Sequence, residues 1–191
     1  MPVGSYQSLL TLSTQCKVIP LIENRTQLLR VLDTHNTNAI FLRHCNLFEL
    51  AGPLEQVQRR DIATYVSIDH TDGIHADNAG LQYLTHTLHI DGIVSSHPRT
   101  LAQGKALGLE TIQRIFALDS TGIEAALESV DTSFVDILDI APALAVPHIT
   151  SRLQGSRPFI ASGLVQTTQQ MHTVLHAGAI AVVVTRDTLW L

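Results

Sequence analysis

Charged side chains stand where several predicted β-strands end. Asp69 and Asp139 come at the ends of the third and sixth predicted strands, and Arg114 lies in the fifth. In folds built from parallel strands, ligands bind at the carboxyl ends of the strands, so these side chains are candidates for one pocket. A buried carboxylate needs a partner, and Arg114 is the obvious one. Two interpretations stay open for the aspartates: they hold ligand hydroxyls, or they form a structural ion pair.

A second group of candidates lies after the last two predicted strands. Ser162 and Gly163 follow the seventh strand, and Thr185 and Arg186 follow the eighth. In barrels of parallel strands these two loops bind phosphate through backbone N–H groups and a helix N-terminus. Gly163 would let the backbone approach a phosphate closely, and Arg186 would add a charged hydrogen bond. Gln113, in the fifth predicted strand, completes the set of candidate ligand-binding residues.

The residue inventory argues against the catalytic mechanisms common in such barrels. Schiff-base chemistry needs a lysine inside the barrel, but the only lysines are Lys17, before the first strand, and Lys105, in a predicted helix. A metal-dependent enzyme would need His and Asp ligands from several strand ends. His44 and His97 could join the two aspartates, but no pair shows ligand spacing. The sequence therefore predicts no catalytic residue, no metal and no cofactor.

The elements that would position these residues are short apolar runs alternating with amphipathic stretches. This alternation is typical of βαβ units and a parallel sheet, whose strands are buried on both faces. We predict eight strands, at residues 18–22, 39–42, 63–68, 92–94, 111–115, 135–140, 159–161 and 181–184.

Helical spacing fills the segments between the strands. Apolar residues in segment 171–175 lie on one helix face, and Gly178 is well placed to end that helix in a left-handed conformation. Thr121 followed by Glu124 predicts a capping box at a helix start. Pro53 predicts a kink or a first helical turn.

Eight strand–helix units predict an α/β fold, a compact (β/α)8 barrel of the TIM type with phosphate-binding loops after strands seven and eight. A doubly wound sheet would show the same local pattern. Nothing in the sequence resembles an interdomain linker, so residues 1–191 are expected to form one domain. Residues 1–16 are expected to be an N-terminal extension that leads into the first strand.

Composition limits the partners and the compartment. Twelve Lys and Arg against seventeen Asp and Glu give a net charge of −5, and the only adjacent basic pair is Arg59-Arg60, so tight nucleic-acid binding by a monomer is not favoured. The first fifteen residues carry no Lys or Arg, which argues against a secretory signal. No apolar stretch is long enough for a membrane span, and Cys16 and Cys45 fit no redox or metal spacing. We expect a cytoplasmic protein without membrane contact.

Several segments together resemble one known family. The most distinctive is TIQRIFALDS at 111–120, and DGIVS at 91–95 is a second. Others are Asp69 with Gly73, the acidic and Pro-containing segment 136–142, residues 161–164, and the terminal Leu189-Trp190. From residue 18 to residue 190 the chain resembles the glycerol-3-phosphate-responsive antiterminator family.

The resemblance implies a barrel that senses glycerol 3-phosphate and regulates rather than catalyses. In that family the liganded protein acts on the leader transcript of glycerol-catabolic genes and prevents premature termination. Leader mRNA is then the implied partner. Formation of a homo-oligomer could gather Arg59, Arg60, Arg152 or Arg157 into a basic patch.

The sequence departs from the family pattern at the expected phosphate loops. Ser162 replaces the first of two usual glycines, and Val183-Val184-Thr185 stands where Ser-Thr-Ser is usual. Asp139 stands where Glu is usual, and Ser67 where His is common. Two alternatives therefore stay open beside the regulator. One is a small phosphosugar-binding enzyme of epimerase or metal-dependent hydrolase type, and the other is a diverged family member that has lost phosphate binding.

Overall fold

Eight parallel strands close into a barrel in the computed structural model, which describes residues 8–33 and 37–190. Each strand pairs with the next along the chain, and β8 closes on β1 with Ile19 opposite Val183. The strands are β1 Val18–Ile22, β2 Ala39–Leu42, β3 Ala63–Ser67, β4 Gly92–Ser95, β5 Glu110–Phe116, β6 Ile137–Ala141, β7 Phe159–Ser162 and β8 Val182–Val184. The predicted TIM-type single domain and all eight predicted strands are confirmed, and the doubly wound alternative is wrong.

Helices connect the strands and cover the outside of the barrel. They are α1 Leu9–Gln15, α2 Arg25–Asp33, α3 Leu47–Gln58, α4 Asn78–His86, α5 Pro98–Ala106, α6 Ser120–Glu128, α7 Val146–Leu153 and α8 Thr168–His176. Helix α1 precedes β1, and β8 is followed by a 3-10 turn, Asp187–Leu189, so the last unit has no α-helix among the described residues. No helix in this part of the chain has the length and apolar character needed to cross a membrane.

Helix boundaries show which local sequence signals were interpreted correctly and which were not. Gly178 follows α8 with φ +107°, the left-handed conformation expected of it. The predicted capping box at Thr121 is wrong: α6 starts earlier, because the side chain of Asp119 accepts a hydrogen bond from the Gly122 N–H at 2.7 Å. Pro53 lies within α3 rather than in its first turn.

Alternation along each strand separates two apolar layers. Side chains facing the barrel axis form an inner cluster, and those facing the helices form an outer one, as the period of two along a strand requires. Ile112 belongs to the inner cluster and Ile115 to the outer one. Gln113 therefore faces the helices and Arg114 faces the barrel axis. The inner cluster includes Leu21, Phe41, Tyr65, Val94, Ile112, Ile137, Ile160 and Val183.

Helix α1 closes the amino end of the barrel. Leu9 and Leu12 belong to the inner cluster, together with residues at the starts of the strands. The buried Glu110 carboxylate accepts hydrogen bonds from Ser8 Oγ at 2.5 Å, the Leu9 N–H at 3.0 Å and Tyr65 Oη at 2.6 Å. The segment expected to be a simple extension is therefore, from residue 8 onward, part of the folded domain, and residues 1–7 lie outside the described residues.

Trp190 packs against the barrel and holds the segment that follows β8 in place. Its side chain is buried, and its indole N–H donates to the Val184 carbonyl at 2.9 Å. That carbonyl belongs to the last residue of β8. The indole thereby holds the carboxyl end of the closing strand.

We expect Glu110→Gln to lower the free energy of unfolding by about 1–3 kcal/mol, because a neutral amide cannot accept three hydrogen bonds as a carboxylate does. Tyr65→Phe, which removes one of the three, should cost about 1 kcal/mol. Urea unfolding followed by circular dichroism measures both changes. An unchanged midpoint for Glu110→Gln would contradict the role of this carboxylate in holding α1.

Candidate functional site

The polar candidates lie at the barrel mouth, the end where the carboxyl ends of the strands meet. They form three separate groups there: a buried ion pair on β5 and β6, a carboxylate held by the loop after β4, and a cavity between the loops after β7 and β8.

The buried ion pair joins Arg114 of β5 to Asp139 of β6. The strand register sets these residues side by side, with both side chains turned into the barrel. Arg114 Nε and Nη2 each lie 2.8 Å from the same carboxylate oxygen, Asp139 Oδ2. Arg114 Nη1 donates to Ser67 Oγ of β3 at 3.0 Å. The pair therefore joins three strands, and Asp139 is wholly buried.

Asp69 belongs to a different group and does not pair with Arg114. It lies in the 3-10 turn Ile68–His70 that follows β3. Ser95 Oγ donates to its Oδ1 at 2.6 Å, and the Ser96 N–H and Oγ donate to its Oδ2 at 2.7 and 2.9 Å. Burial alone would raise the pKa of Asp69, but these hydrogen bonds outweigh it and hold the pKa below its usual value.

One histidine, His97, contacts this carboxylate, with its Nδ1 3.4 Å from Asp69 Oδ2. The rings of His44 and His70 meet edge to face, with centroids 5.3 Å apart. Burial, helped by the positive charge of Arg114, lowers the pKa of His70. The lowered pKa of His70 favours its neutral imidazole.

A cavity of about 300 Å³ opens between the loops after β7 and β8. Gly163 and Leu164 both have left-handed backbones, with φ +86° and +63°, so the loop after β7 turns sharply as it leaves the strand. Leu164 is exposed, whereas Thr185 on the facing loop is half-buried. The cavity is lined by Gly163, Leu164, Val165, Gln166, Val183, Val184, Thr185 and Arg186.

Arg186 connects the two loops across this cavity. Its Nη1 donates to the Gln166 carbonyl at 2.8 Å and lies 3.3 Å from Gln166 Oε1. The next residue, Asp187, starts the 3-10 turn and pairs with Arg30 of α2. The pairing neutralises a carboxylate that would otherwise repel an anion at this turn, and it leaves the Arg186 guanidinium exposed beside the cavity.

The structure brings together most, but not all, of the eight candidate residues. Arg114 and Asp139 pair, and Gly163, Thr185 and Arg186 surround one cavity, with Ser162 as the buried last residue of β7. Gln113 lies apart, since the alternation on β5 turns it away from the barrel axis toward the helices. Sequence reasoning missed Ser67 and Gln166, which hold Arg114 and Arg186.

The structure also locates the residues considered for catalysis. Lys105 Nζ, near the end of α5, lies 2.6 Å from Asp136 Oδ1, just before β6 and away from the mouth. Lys17 precedes β1. Across residues 8–33 and 37–190, no three His, Cys, Asp or Glu side chains are grouped so that they could hold a metal ion.

Comparison with known proteins gives one family and a consistent fold. A family model described as "Glycerol-3-phosphate responsive antiterminator" matches residues 18–190. The Escherichia coli (strain K12) protein described as "Uncharacterized protein YgcP" is 23% identical over 185 residues, 95% of each chain. The crystal structure of the glycerol uptake operon antiterminator regulatory protein from Listeria monocytogenes is 23% identical, with a TM-score of 0.82 over 92% of this chain and 95% of that one. A glycerol uptake operon antiterminator-related protein from Thermotoga maritima is also 23% identical, with a TM-score of 0.78 over 91% and 96%.

The low pKa of Asp69 predicts an acid-dependent contribution to stability. Because its folded-state pKa lies below the unfolded value of about 3.9, the contribution is complete above that pH and is lost as pH falls through the folded pKa. Asp69→Asn should therefore show a smaller fall in the free energy of unfolding between pH 5 and pH 2 than the wild type. Urea titrations at each pH measure it, with the exposed Asp33→Asn as control. An equal fall in the free energy of unfolding for Asp69→Asn and the wild type would refute the low pKa of Asp69.

Proposed function

Because the chain belongs to the glycerol-3-phosphate responsive antiterminator family, we propose that it senses glycerol 3-phosphate and, when liganded, acts on the leader mRNA of glycerol-catabolic genes. The family is regulatory, and we extend that role to this chain as a ligand-controlled regulator rather than an enzyme. The observation that carries the proposal is the cavity between the loops after β7 and β8, the position at which barrels of this type bind phosphate.

The cavity offers the groups that a phosphate needs. Gly163 brings backbone close to the space, and Arg186 holds an exposed guanidinium beside it, which can form charged hydrogen bonds to phosphate oxygens. Val183 and Val184 are buried and contribute no hydroxyl, so Thr185 carries the one side-chain hydroxyl of the β8 segment. The phosphate would accordingly rest on backbone N–H groups, Thr185 and Arg186.

Calorimetric titration with glycerol 3-phosphate tests the sensor. We expect saturable binding that weakens about tenfold or more in Thr185→Val, which loses a hydrogen bond to a charged group. Gly163→Val should weaken it similarly, because valine cannot keep the left-handed backbone without strain.

The matched control is Gly155→Val, at another left-handed glycine whose added Cβ would meet no atom within 4 Å. It carries the same backbone strain outside the cavity and should keep wild-type affinity. Separate titrations with glycerol and with inorganic phosphate measure how much each half of the ligand contributes to the binding affinity. No binding at millimolar ligand would refute the sensor and favour a family member that has lost phosphate binding.

We propose that RNA recognition by this chain does not depend mainly on charge. Among the described residues, six of the twelve cationic side chains already contact a carboxylate: Arg30, Arg43, Arg59, Lys105, Arg114 and Arg152. Exposed aromatic rings supply the alternative, because single-stranded bases stack on them regardless of net charge. Phe48 at the start of α3 and Phe116 at the end of β5 are 68% and 49% exposed at the mouth.

We expect Phe116→Ala to weaken binding of the liganded protein to its own leader RNA by about 1–3 kcal/mol, the value of one stacked base. Tyr83→Ala, an exposed aromatic on α4, is the matched control and should leave affinity unchanged. A plot of log affinity against log salt should be no steeper than about −3, equivalent to about four phosphate contacts. A much steeper slope together with a neutral Phe116→Ala would show charge-driven binding instead. Equal affinity with and without glycerol 3-phosphate would refute the regulatory role.

A further inference from the structure

One oxygen of the buried ion pair has no partner among the residues that the structure describes. Asp139 Oδ2 accepts from both Arg114 nitrogens, whereas Asp139 Oδ1 is closed to solvent and receives no hydrogen bond from residues 8–33 and 37–190. A structural arginine–carboxylate pair usually spreads its two N–H bonds over the two oxygens. Here both bonds go to one oxygen, so the second is left as a carboxylate acceptor without a donor among the described residues.

The surroundings hold the carboxylate in this orientation. Arg114 cannot readily swing to share its bonds, because Nη1 is engaged by Ser67 Oγ on β3. The side chain of Asp139 is wholly buried, and that of Arg114 is 5% exposed. A buried acceptor without a donor is costly, and such atoms are rare in folded proteins. The arrangement therefore calls for a donor from outside the chain.

The chemistry of that donor follows from the acceptor. An ionised oxygen accepts a hydroxyl hydrogen, and it repels a carbonyl or phosphate oxygen, which has no hydrogen to give. The oxygen therefore discriminates between a hydroxyl and a carbonyl at the same position of a ligand. It is suited to the uncharged, hydroxyl-bearing end of a molecule and not to its phosphate.

The position of Asp139 relative to the cavity fits a short ligand. Asp139 pairs with Ile160 on the neighbouring β7, two residues before Ser162 and the start of the cavity loop. Two strand residues correspond to about 7 Å along the strand. A three-carbon chain whose phosphate lies between the β7 and β8 loops can extend over that distance toward the axis. A ligand that reaches Oδ1 must displace side chains covering the mouth, and is then itself enclosed.

We propose that Asp139 Oδ1 accepts a hydrogen bond from a carbon-borne hydroxyl of the ligand, and thereby selects a phosphorylated polyol over the corresponding keto phosphate. The inference rests on the proposed function, since it takes the phosphate of glycerol 3-phosphate to lie at the β7 and β8 loops. It goes beyond that function by assigning the selectivity of the sensor to a single oxygen atom.

A series of three-carbon phosphates tests the proposal by calorimetric titration of the full chain. The probes are glycerol 3-phosphate, dihydroxyacetone phosphate, propane-1,2-diol 1-phosphate and propane-1,3-diol 1-phosphate, each analogue lacking one hydroxyl donor. We expect the wild type to bind dihydroxyacetone phosphate about tenfold or more weakly than glycerol 3-phosphate, since a site built to bind a hydroxyl rejects a ligand without it. The two propanediol phosphates show which hydroxyl the site requires.

The variant Asp139→Asn tests the preference for hydroxyl over carbonyl separately from the affinity for phosphate. Its amide can place an N–H donor where Oδ1 stood, so the preference for hydroxyl over carbonyl should shrink to near unity or reverse. Ser67→Ala, which frees Arg114 to share its bonds with Asp139 Oδ1, should also lower the ratio. Competition by inorganic phosphate should be equal in the wild type and Asp139→Asn, and equal competition also shows that the mouth of the variant is folded.

The outcomes distinguish the two proposals. If the wild type binds glycerol 3-phosphate and dihydroxyacetone phosphate within a factor of about two, the selectivity assignment is overturned while the sensor stands, whatever Asp139→Asn does. Equal ratios in the wild type and a folded Asp139→Asn overturn it as well. If the wild type does not bind glycerol 3-phosphate at all, the proposed function fails and the inference fails with it.

Discussion

Closure of the sheet is the constraint on which the rest of the structure depends. Once β8 pairs with β1, no strand has a free edge, and each strand must place alternate side chains into an interior of fixed size. Apolar residues fill that interior along most of its length, and α1 covers its amino end through Glu110. Polar side chains are then accommodated at the two ends, where α1 supplies partners at the amino end and loops surround the carboxyl end. The ion pair, the Asp69 group and the two-loop cavity all lie there for this reason.

The sequence was sufficient to predict the barrel because its strands are apolar on both faces and its helices carry clear stripes. It was less informative where partners lie far apart in the chain. Helix α1 has only seven residues, and its first residues bond to Glu110, about a hundred positions away, so no local pattern predicts it. The sequence offered two aspartates, Asp69 and Asp139, as partners for Arg114. Only the register of β5 against β6 shows that Asp139 is the partner.

Some features of the site could have been predicted and were missed. Neighbouring residues of a strand point to opposite faces, so Gln113 and Arg114 could not both enter the pocket. Ser67 lies two residues after the inward-facing Tyr65, which turns its hydroxyl into the barrel as well. By contrast, the Arg186–Gln166 contact joins two loops whose course no strand pattern fixes, and it becomes visible only in the folded chain.

The indole of Trp190 connects the wall of the cavity to the segment that follows β8. Its N–H holds the carbonyl of Val184, and Val184 forms part of the cavity wall. A force or a binding partner acting on the last residues would therefore be transmitted to the space between the β7 and β8 loops. Conversely, a ligand that tightens those loops would restrain the segment around Trp190, so this indole is a natural reporter of occupancy.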